Sequence, residues 1–394
     1  MPVQHADLVI IGTGMAGVGL ARALRREGDT RSLALISQDA GEAYSKPLLS
    51  TGFAKRLPPE RLVQQDTTAL ADELDATLWP HTAVTAIDPD ARQLTLETRD
   101  ARGAYTLSFN DLVLATGAAP RLPFSLPADV APRCFSVNDL DDYRRFYSAL
   151  GKHPARVAVI GAGLVGCEFA NDLHAGGHQI SLIAPEATPL PLLLPEPLGE
   201  ALGEAFGAAG IALALGRTPE HIGIDAEDNL ALKLDNGDIL HADVALLATG
   251  LAPRTALAEA CGLEVSASGI SVDRTLATSH PHIYALGDAA CIDGINAMYV
   301  QPLQASAKAL AKTLCNAPTP VRFGAWPVVV KTPLLPVVAY PPLDPAARWR
   351  IEADGSDISA LAEDKNGRLL GFALTGGCVK RKVELSRAAP ALLG

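Results

Sequence analysis

The chain has 394 residues, with 33 Lys and Arg against 44 Asp and Glu, for a formal net charge of −11 at pH 7. At about 150 residues per domain this length allows two or three packed domains, and a hydrophobic content of 48% excludes wholesale disorder. The acidic balance argues against nucleic acid or an anionic membrane as partner, because a negative surface displaces no counterions from either.

In chain order, Leu8-Val-Ile-Ile11 is an apolar run long enough for one buried parallel strand, and Gly12-Thr13-Gly14-Met15-Ala16-Gly17 follows it. The pattern then predicts a helix over Met15–Arg26 and a second strand over Leu33–Ile36. No basic segment precedes the apolar stretch Leu8–Leu20 and glycines interrupt it, which argues against a signal peptide. The unit recurs as Val157–Ile160, Gly161-Ala-Gly163-Leu164-Val165-Gly166, a helix over Leu164–Ala175 and a strand over Ile180–Ile183. In each copy the first glycine makes the turn, the second lets a pyrophosphate approach the backbone, and the third packs helix against strand. The N–H groups and partial positive charge at the helix start then face the phosphates. Two such turns in the right context imply two dinucleotides.

A second pair of echoes supports duplication. Leu112-Val-Leu-Ala115-Thr116-Gly117-Ala-Ala-Pro120 matches Ala245-Leu-Leu-Ala-Thr-Gly250-Leu-Ala-Pro253, each a strand ending in a Thr-Gly turn. Ile283–Leu286 ends in Gly287-Asp288, before a helix over Gln301–Leu314. Pro-rich Ala187–Pro197 reads as a loop before a helix over Leu198–Ala209, and Cys315–Val321 as a linker. Runs at Val328–Val330, Val337–Tyr340, Asp357–Glu363 and Arg368–Leu374 predict a small β-rich domain closed by a helix. Lys331 and the prolines of Trp326–Leu343 argue against a membrane helix there.

The acid that usually binds ribose at the end of the second strand is replaced in the first unit by Ser37-Gln38-Asp39, so Asp39 or the backbone near Ser37 must serve. In the second unit Ala184-Pro185-Glu186 stands there, with no Arg or Lys between Leu182 and Gly199 to neutralise a 2′-phosphate. Glu186 therefore favours NADH over NADPH. The six cysteines contain no CxxC pair and no zinc-ribbon spacing, and the nine histidines form no HExxH or HxxEH; His174 and His178 stand four apart, but Gly176-Gly177 between them breaks the helix that would place both on one face, so no metal is expected. The chain is expected to be cytoplasmic.

The order GxGxxG, ATGxxP, GxGxxG, ATGxxP and strand-Gly-Asp resembles the pyridine-nucleotide:disulfide oxidoreductase superfamily over about residues 6–315. The resemblance implies an α/β fold of two Rossmann-like dinucleotide-binding domains, three-layer β/β/α in type, plus a small C-terminal α+β domain. It implies FAD at the first turn and NAD(P)H at the second, which the residues above narrow to NADH, with Asp288 on the ribityl chain. Thr51 stands where the cysteine of single-thiol members sits, so a redox thiol is not expected. What remains is the branch in which FAD is the only redox centre, including rubredoxin reductases. Lys46-Pro47 resembles its Lys/Arg-Pro signature, and the resemblance pairs Lys46 with Glu168 beside the flavin as the catalytic residues. It further implies Val84 at the adenine, Gly250 under the nicotinamide, the backbone near Val300 at the pyrimidine ring, and Lys331 of a Val-Lys-Thr-Pro run against FAD.

The expected domains are 1–117 with 247–316 for FAD, 118–246 for NADH, and 317–394 covering the flavin. The expected reaction takes hydride from NADH and passes single electrons to rubredoxin through a transient, mainly apolar contact. A ferredoxin reductase of an oxygenase system, an NADH oxidase or nitrite-reductase-like flavoprotein without protein acceptor, and a redox-sensing flavoprotein are the alternatives. Arg121 and Arg254, beside the ATGxxP turns, could touch phosphates or a partner.

Overall fold

The computed structural model describes residues 4–98 and 104–394; residues 1–3 and 99–103 of the expected FAD unit lie outside the described residues. The first sheet runs Thr77–Trp79, Leu33–Ile36, Gln4–Ile11, Ala104–Leu114, Gln93–Thr98, Thr82–Asp88. Its centre is parallel, with Val9 opposite Ala34 on one side and Leu112 on the other, and all three side chains are buried. Near-continuous apolar strands of this kind are what a sheet covered on both faces requires. The long strand Ala104–Leu114 is shared. Its first half pairs antiparallel with Gln93–Thr98, and its second half takes Ile283–Ala285 in parallel. A segment far along the chain thus completes the first sheet.

The second parallel sheet runs Cys134–Phe135, Val244–Leu247, Arg156–Ile160, Gln179–Ala184, Ala212–Leu215. An antiparallel meander, Pro219–Ile224, Leu230–Leu234 and Ile239–Ala242, packs through Ile222, Leu230 and Leu232 onto Ala158, Ile160 and Ile183. The third body is a five-stranded sheet, Val328–Val330, Val337–Tyr340, Leu369–Thr375, Asp357–Glu363, Arg348–Asp354, followed by the helix Lys382–Ala388.

The duplication read in the sequence is a duplication of geometry. Gly12 and Gly161 have φ of +119° and +113°, and a Cβ on either would meet a backbone oxygen, Ala115 O at 2.3 Å or Ala248 O at 2.4 Å. No side chain fits where the turn crosses the ATG strand. The two ATGxxP segments also pair with each other. Ala118–Pro120 and Leu251–Pro253 form an antiparallel ribbon, Arg121 N donates to Gly250 O at 2.9 Å, and Arg254 N donates to Gly117 O at 2.9 Å. The same crossing therefore ties both nucleotide-binding units at one point.

The helices Met15–Arg26 and Leu164–Ala175 have the expected bounds. The expected Leu198–Ala209 helix starts earlier, at Glu196, because Pro197 is tolerated in a first turn. The strand Arg348–Asp354 is not among the expected strands. It lies at the sheet edge with nearly every residue exposed, although Trp349, Ile351 and Ala353 alternate with charged residues along it. Among the described residues no helix is long and apolar enough to cross a membrane.

Candidate functional site

A cavity of about 1180 Å³ runs from the first glycine turn to the C-terminal body. One end is lined by Gly12, Thr13, Gly14, Met15, Ala16, Ser37, Gln38 and Asp39, with Val84 and the ATG residues Ala115, Thr116 and Gly117 alongside. The other end is lined by Lys46, Pro47, Ser50, Asn138, Asp288, Val300, Trp326 and Lys331, together with Leu164, Val165 and Glu168 from the start of the second Rossmann helix.

Local sequence explains these positions. Thr13 Oγ1 donates to Ser37 Oγ at 2.8 Å, the Ser37 hydroxyl donates to Asp39, and Asp39 Oδ1 accepts from Gly41 N at 2.8 Å. The glycine turn is thereby locked to the end of the second strand. Lys46–Ser50 forms a 3-10 helix with Pro47 in its first turn, which brings Lys46, Pro47 and Ser50 to the cavity wall. The helix Val300–Leu314 starts at the cavity, and Met298, Tyr299 and Val300 line it, so its partial positive charge faces inward.

The expected Lys46–Glu168 pair is corrected by the structure. Glu168 Oε2 lies 2.6 Å from Lys331 Nζ, and Glu168 Oε1 accepts from Lys331 N at 3.1 Å. Lys331 Nζ also donates to Ser50 Oγ and Pro47 O, both at 2.7 Å, and Ser50 Oγ donates to Glu168 Oε2 at 2.8 Å. The strand Val328–Val330 delivers Lys331 to the carboxylate across the cavity, which no local spacing could reveal. Lys46 Nζ instead donates to Asn138 Oδ1 at 2.8 Å and stands 4.0 Å from Asp288 Oδ2. Burial holds the Lys46 ammonium below the usual lysine range, and Asp288 partly offsets this. Burial pushes the Asp288 carboxyl up, against the pull of Lys46.

Several expected residues do not line this cavity. Gly17 lies under the turn, where a Cβ would come within 1.9 Å of Gly12 O, and Gly287 packs against Ala16. Gly161, Gly163, Gly166, Glu186 and Gly250 lie outside the cavity lining. Glu186 is exposed just beyond the end of Gln179–Ala184. Arg254 lines the cavity, whereas Arg121 does not. Ser50, Asn138 and Asp139 line it without having been singled out. Ser50 was legible only as part of the Lys46-Pro47 segment, and Asn138 carried no signal.

All six cysteines are free, and among the described residues none lines the cavity. Cys167 is buried, its thiol donates to Ala162 O, and burial pushes its pKa up to about 12. Thr51 points away and donates to Leu48 O at 3.1 Å. No group of three or more His, Cys, Asp or Glu among the described residues is placed to hold a metal ion.

Residues 6–309 match the family model described as "Pyridine nucleotide-disulphide oxidoreductase". The chain belongs to the pyridine nucleotide-disulphide oxidoreductase family. Residues 320–389 of this oxidoreductase match a second model, "Rubredoxin binding C-terminal domain". It is 40% identical over 388 residues to a rubredoxin-NAD(+) reductase of Alcanivorax borkumensis, covering 98% of this chain and 99% of the relative. It is 37% identical to a rubredoxin-NAD(+) reductase of Acinetobacter baylyi, with 98% of each chain covered. Among solved structures it is similar to a covalent putidaredoxin reductase–putidaredoxin complex, with a TM-score of 0.86, 25% identity and coverage of 98% of this chain and 94% of that one.

The lining fits the FAD that the sequence motifs imply. A Cβ on Gly14 would meet nothing within 4 Å, so the space above the helix start is open for a pyrophosphate. At the far end, two ammonium groups and two carboxylates face a cavity whose walls include Trp326 and Val300. An elongated ligand with an anionic middle and a flat, polar-edged ring suits that distribution.

Proposed function

We propose that this oxidoreductase takes hydride from NADH through bound FAD and passes single electrons to rubredoxin. The observation that carries this reading is that Trp326, Val329 and Lys331, within the stretch matching the rubredoxin-binding domain, form one wall of the cavity. FAD, when bound, accepts an electron pair from a nicotinamide and yields electrons one at a time, which a two-electron donor and a one-electron acceptor require.

The chain's own residues divide the remaining work. Gly12 to Ala16 hold the pyrophosphate, with Gly17 packed beneath the turn, Ser37 and Gln38 the ribose, Val84 the adenine and Asp288 the ribityl chain. Lys46, Lys331 and the start of Val300–Leu314 place positive charge around the ring end, where reduction adds negative charge. Glu168, tied to Lys331 and Ser50, keeps that ammonium affordable in a part-buried site. Gly161, Gly163 and Gly166 receive the second dinucleotide, Glu186 its ribose and Gly250 its nicotinamide. This reading divides the chain into an FAD unit (1–117 with 247–316), an NADH unit (118–246) and a covering unit (317–394). The return of Ile283–Ala285 to the first sheet supports the split FAD unit.

The cavity rim carries exposed apolar side chains, Val165, Tyr299 and Val329. They suit a transient, largely apolar docking of a small acidic carrier, with little electrostatic steering from a chain of net charge −11. A cytoplasmic location is part of the proposal, and six free cysteines fit a reducing compartment. The test is NADH-driven reduction of rubredoxin compared with ferredoxin and with oxygen alone, at low and high salt. Rubredoxin should be the preferred acceptor with a shallow salt dependence. Equal turnover with and without rubredoxin would contradict the reading.

A further inference from the structure

Asn138 lies between the strand Cys134–Phe135 and the helix Leu140–Leu150, and its side chain lines the cavity although the residue is only 6% exposed. Its Nδ2 donates to Ala118 O at 2.9 Å, and its Oδ1 accepts from Lys46 Nζ at 2.8 Å. A carbonyl can only accept and an ammonium can only donate, so these two partners permit one orientation of the amide. The mount is rigid on both sides. Asn138 N donates to Asp142 Oδ2 at 3.0 Å, and Ala118 begins the ribbon paired with Leu251–Pro253.

Lys46 also has a competing partner. Asp288 Oδ2 stands 4.0 Å away, an ion pair too long to be a hydrogen bond. In a part-buried site such a pair would close unless the ammonium were held elsewhere.

We propose that Asn138 is a positioning residue that clamps the Lys46 ammonium off Asp288, leaving the Asp288 carboxylate free to receive the ligand's polyol chain. The identity of that ligand, FAD, rests on the function proposed above; the clamp itself does not.

Two measurements test this, and one needs no FAD. In the apoprotein, competitive acetylation is read by mass spectrometry at Lys46 and, as an internal reference, at exposed Lys365. Asn138→Leu removes donor and acceptor at similar size, so Lys46 should close onto Asp288 and be acetylated several-fold more slowly relative to Lys365. In the second measurement, Asn138→Leu should weaken FAD binding by about tenfold or more, the loss expected when a hydrogen bond to a charged group is removed. In a Lys46→Met background the same substitution should change FAD affinity by less than about threefold, because the clamp has nothing left to hold. Should Asn138→Leu fold poorly, Asn138→Ala in both backgrounds gives the same comparison.

Equal weakening of FAD in both backgrounds would overturn the proposal in favour of a purely structural role, as would unchanged Lys46 labelling. A wild-type protein that binds no FAD would instead overturn the reading of the cavity, and the labelling would then judge the clamp alone.

Discussion

Lys331→Met is the sharpest perturbation of the site's internal chemistry. The substitution keeps the backbone amide that donates to Glu168 but removes the ammonium 2.6 Å from Glu168 Oε2. Breaking a buried ion pair from one side costs about 3–5 kcal/mol, because the remaining charge is left in low dielectric. Here Lys331 keeps 30% of its side-chain surface and Glu168 only 8%, and the Ser50 hydroxyl still serves the carboxylate. We therefore take about 2–3 kcal/mol. Because Lys331 follows the strand Val328–Val330, that loss falls on the attachment of the C-terminal body to the second Rossmann helix. Native-state hydrogen exchange of peptides spanning residues 326–336 reads it directly. At 1.36 kcal/mol per decade, exchange should accelerate by roughly 30- to 150-fold. Glu168→Gln, which strands the more exposed partner, should cost about half as much or less. Lys331→Met combined with Glu168→Leu should recover most of the protection, since no buried charge is then left alone. Acceleration below about threefold, or a double variant as labile as Lys331→Met, would refute the reasoning.

Three further outcomes follow from the same geometry. Gly14→Val should leave the fold intact and abolish retention of FAD, because its Cβ meets only open space, whereas Gly17→Ala should misfold against Gly12 O; circular dichroism and flavin absorbance separate the two. Cys167→Ser should leave NADH turnover unchanged, since that thiol is buried with its pKa pushed up to about 12; a folded but inactive variant would contradict a thiol-free reaction. The Lys46 ammonium is disfavoured by burial, so the folded protein binds its proton less tightly than the unfolded chain does. Its contribution to apoprotein stability should rise with pH through the folded value, below the usual lysine range, and level off above the unfolded value. Flavin reduction by NADH should decline over the same rise, and Lys46→Met should flatten both profiles; denaturant unfolding and rapid kinetics against pH check them.

The parts of this molecule governed by local rules were legible in the sequence. Both glycine turns, the helices Met15–Arg26 and Leu164–Ala175 and the strand Leu33–Ile36 follow from apolar runs and backbone requirements confined to a few residues. The strand Arg348–Asp354 alternates charged residues with Trp349, Ile351 and Ala353, but only three apolar side chains mark it, nearly all of it is exposed, and its place depends on pairing with Asp357–Glu363. The site behaved in the same way. Lys46, Glu168, Asp288 and Lys331 were each found from their motifs, yet their pairing depends on how two sheets and a C-terminal strand meet across one cavity. Glu168 took the lysine that the third body delivers, and Lys46 was left to Asn138, a residue without a motif. The ribbon joining Ala118–Pro120 to Leu251–Pro253 was written twice in the sequence, but nothing local said that the two copies pair.

The central claim is that one flavin, with no sulfur of the chain taking part, carries electrons from nicotinamide to acceptor. Anaerobic titration of the FAD-loaded protein with NADH measures its electron capacity directly. A single NADH per bound flavin should complete the bleaching, and oxidised rubredoxin should then restore the flavin spectrum in full. Uptake of a second NADH per flavin would reveal another redox centre and contradict the account.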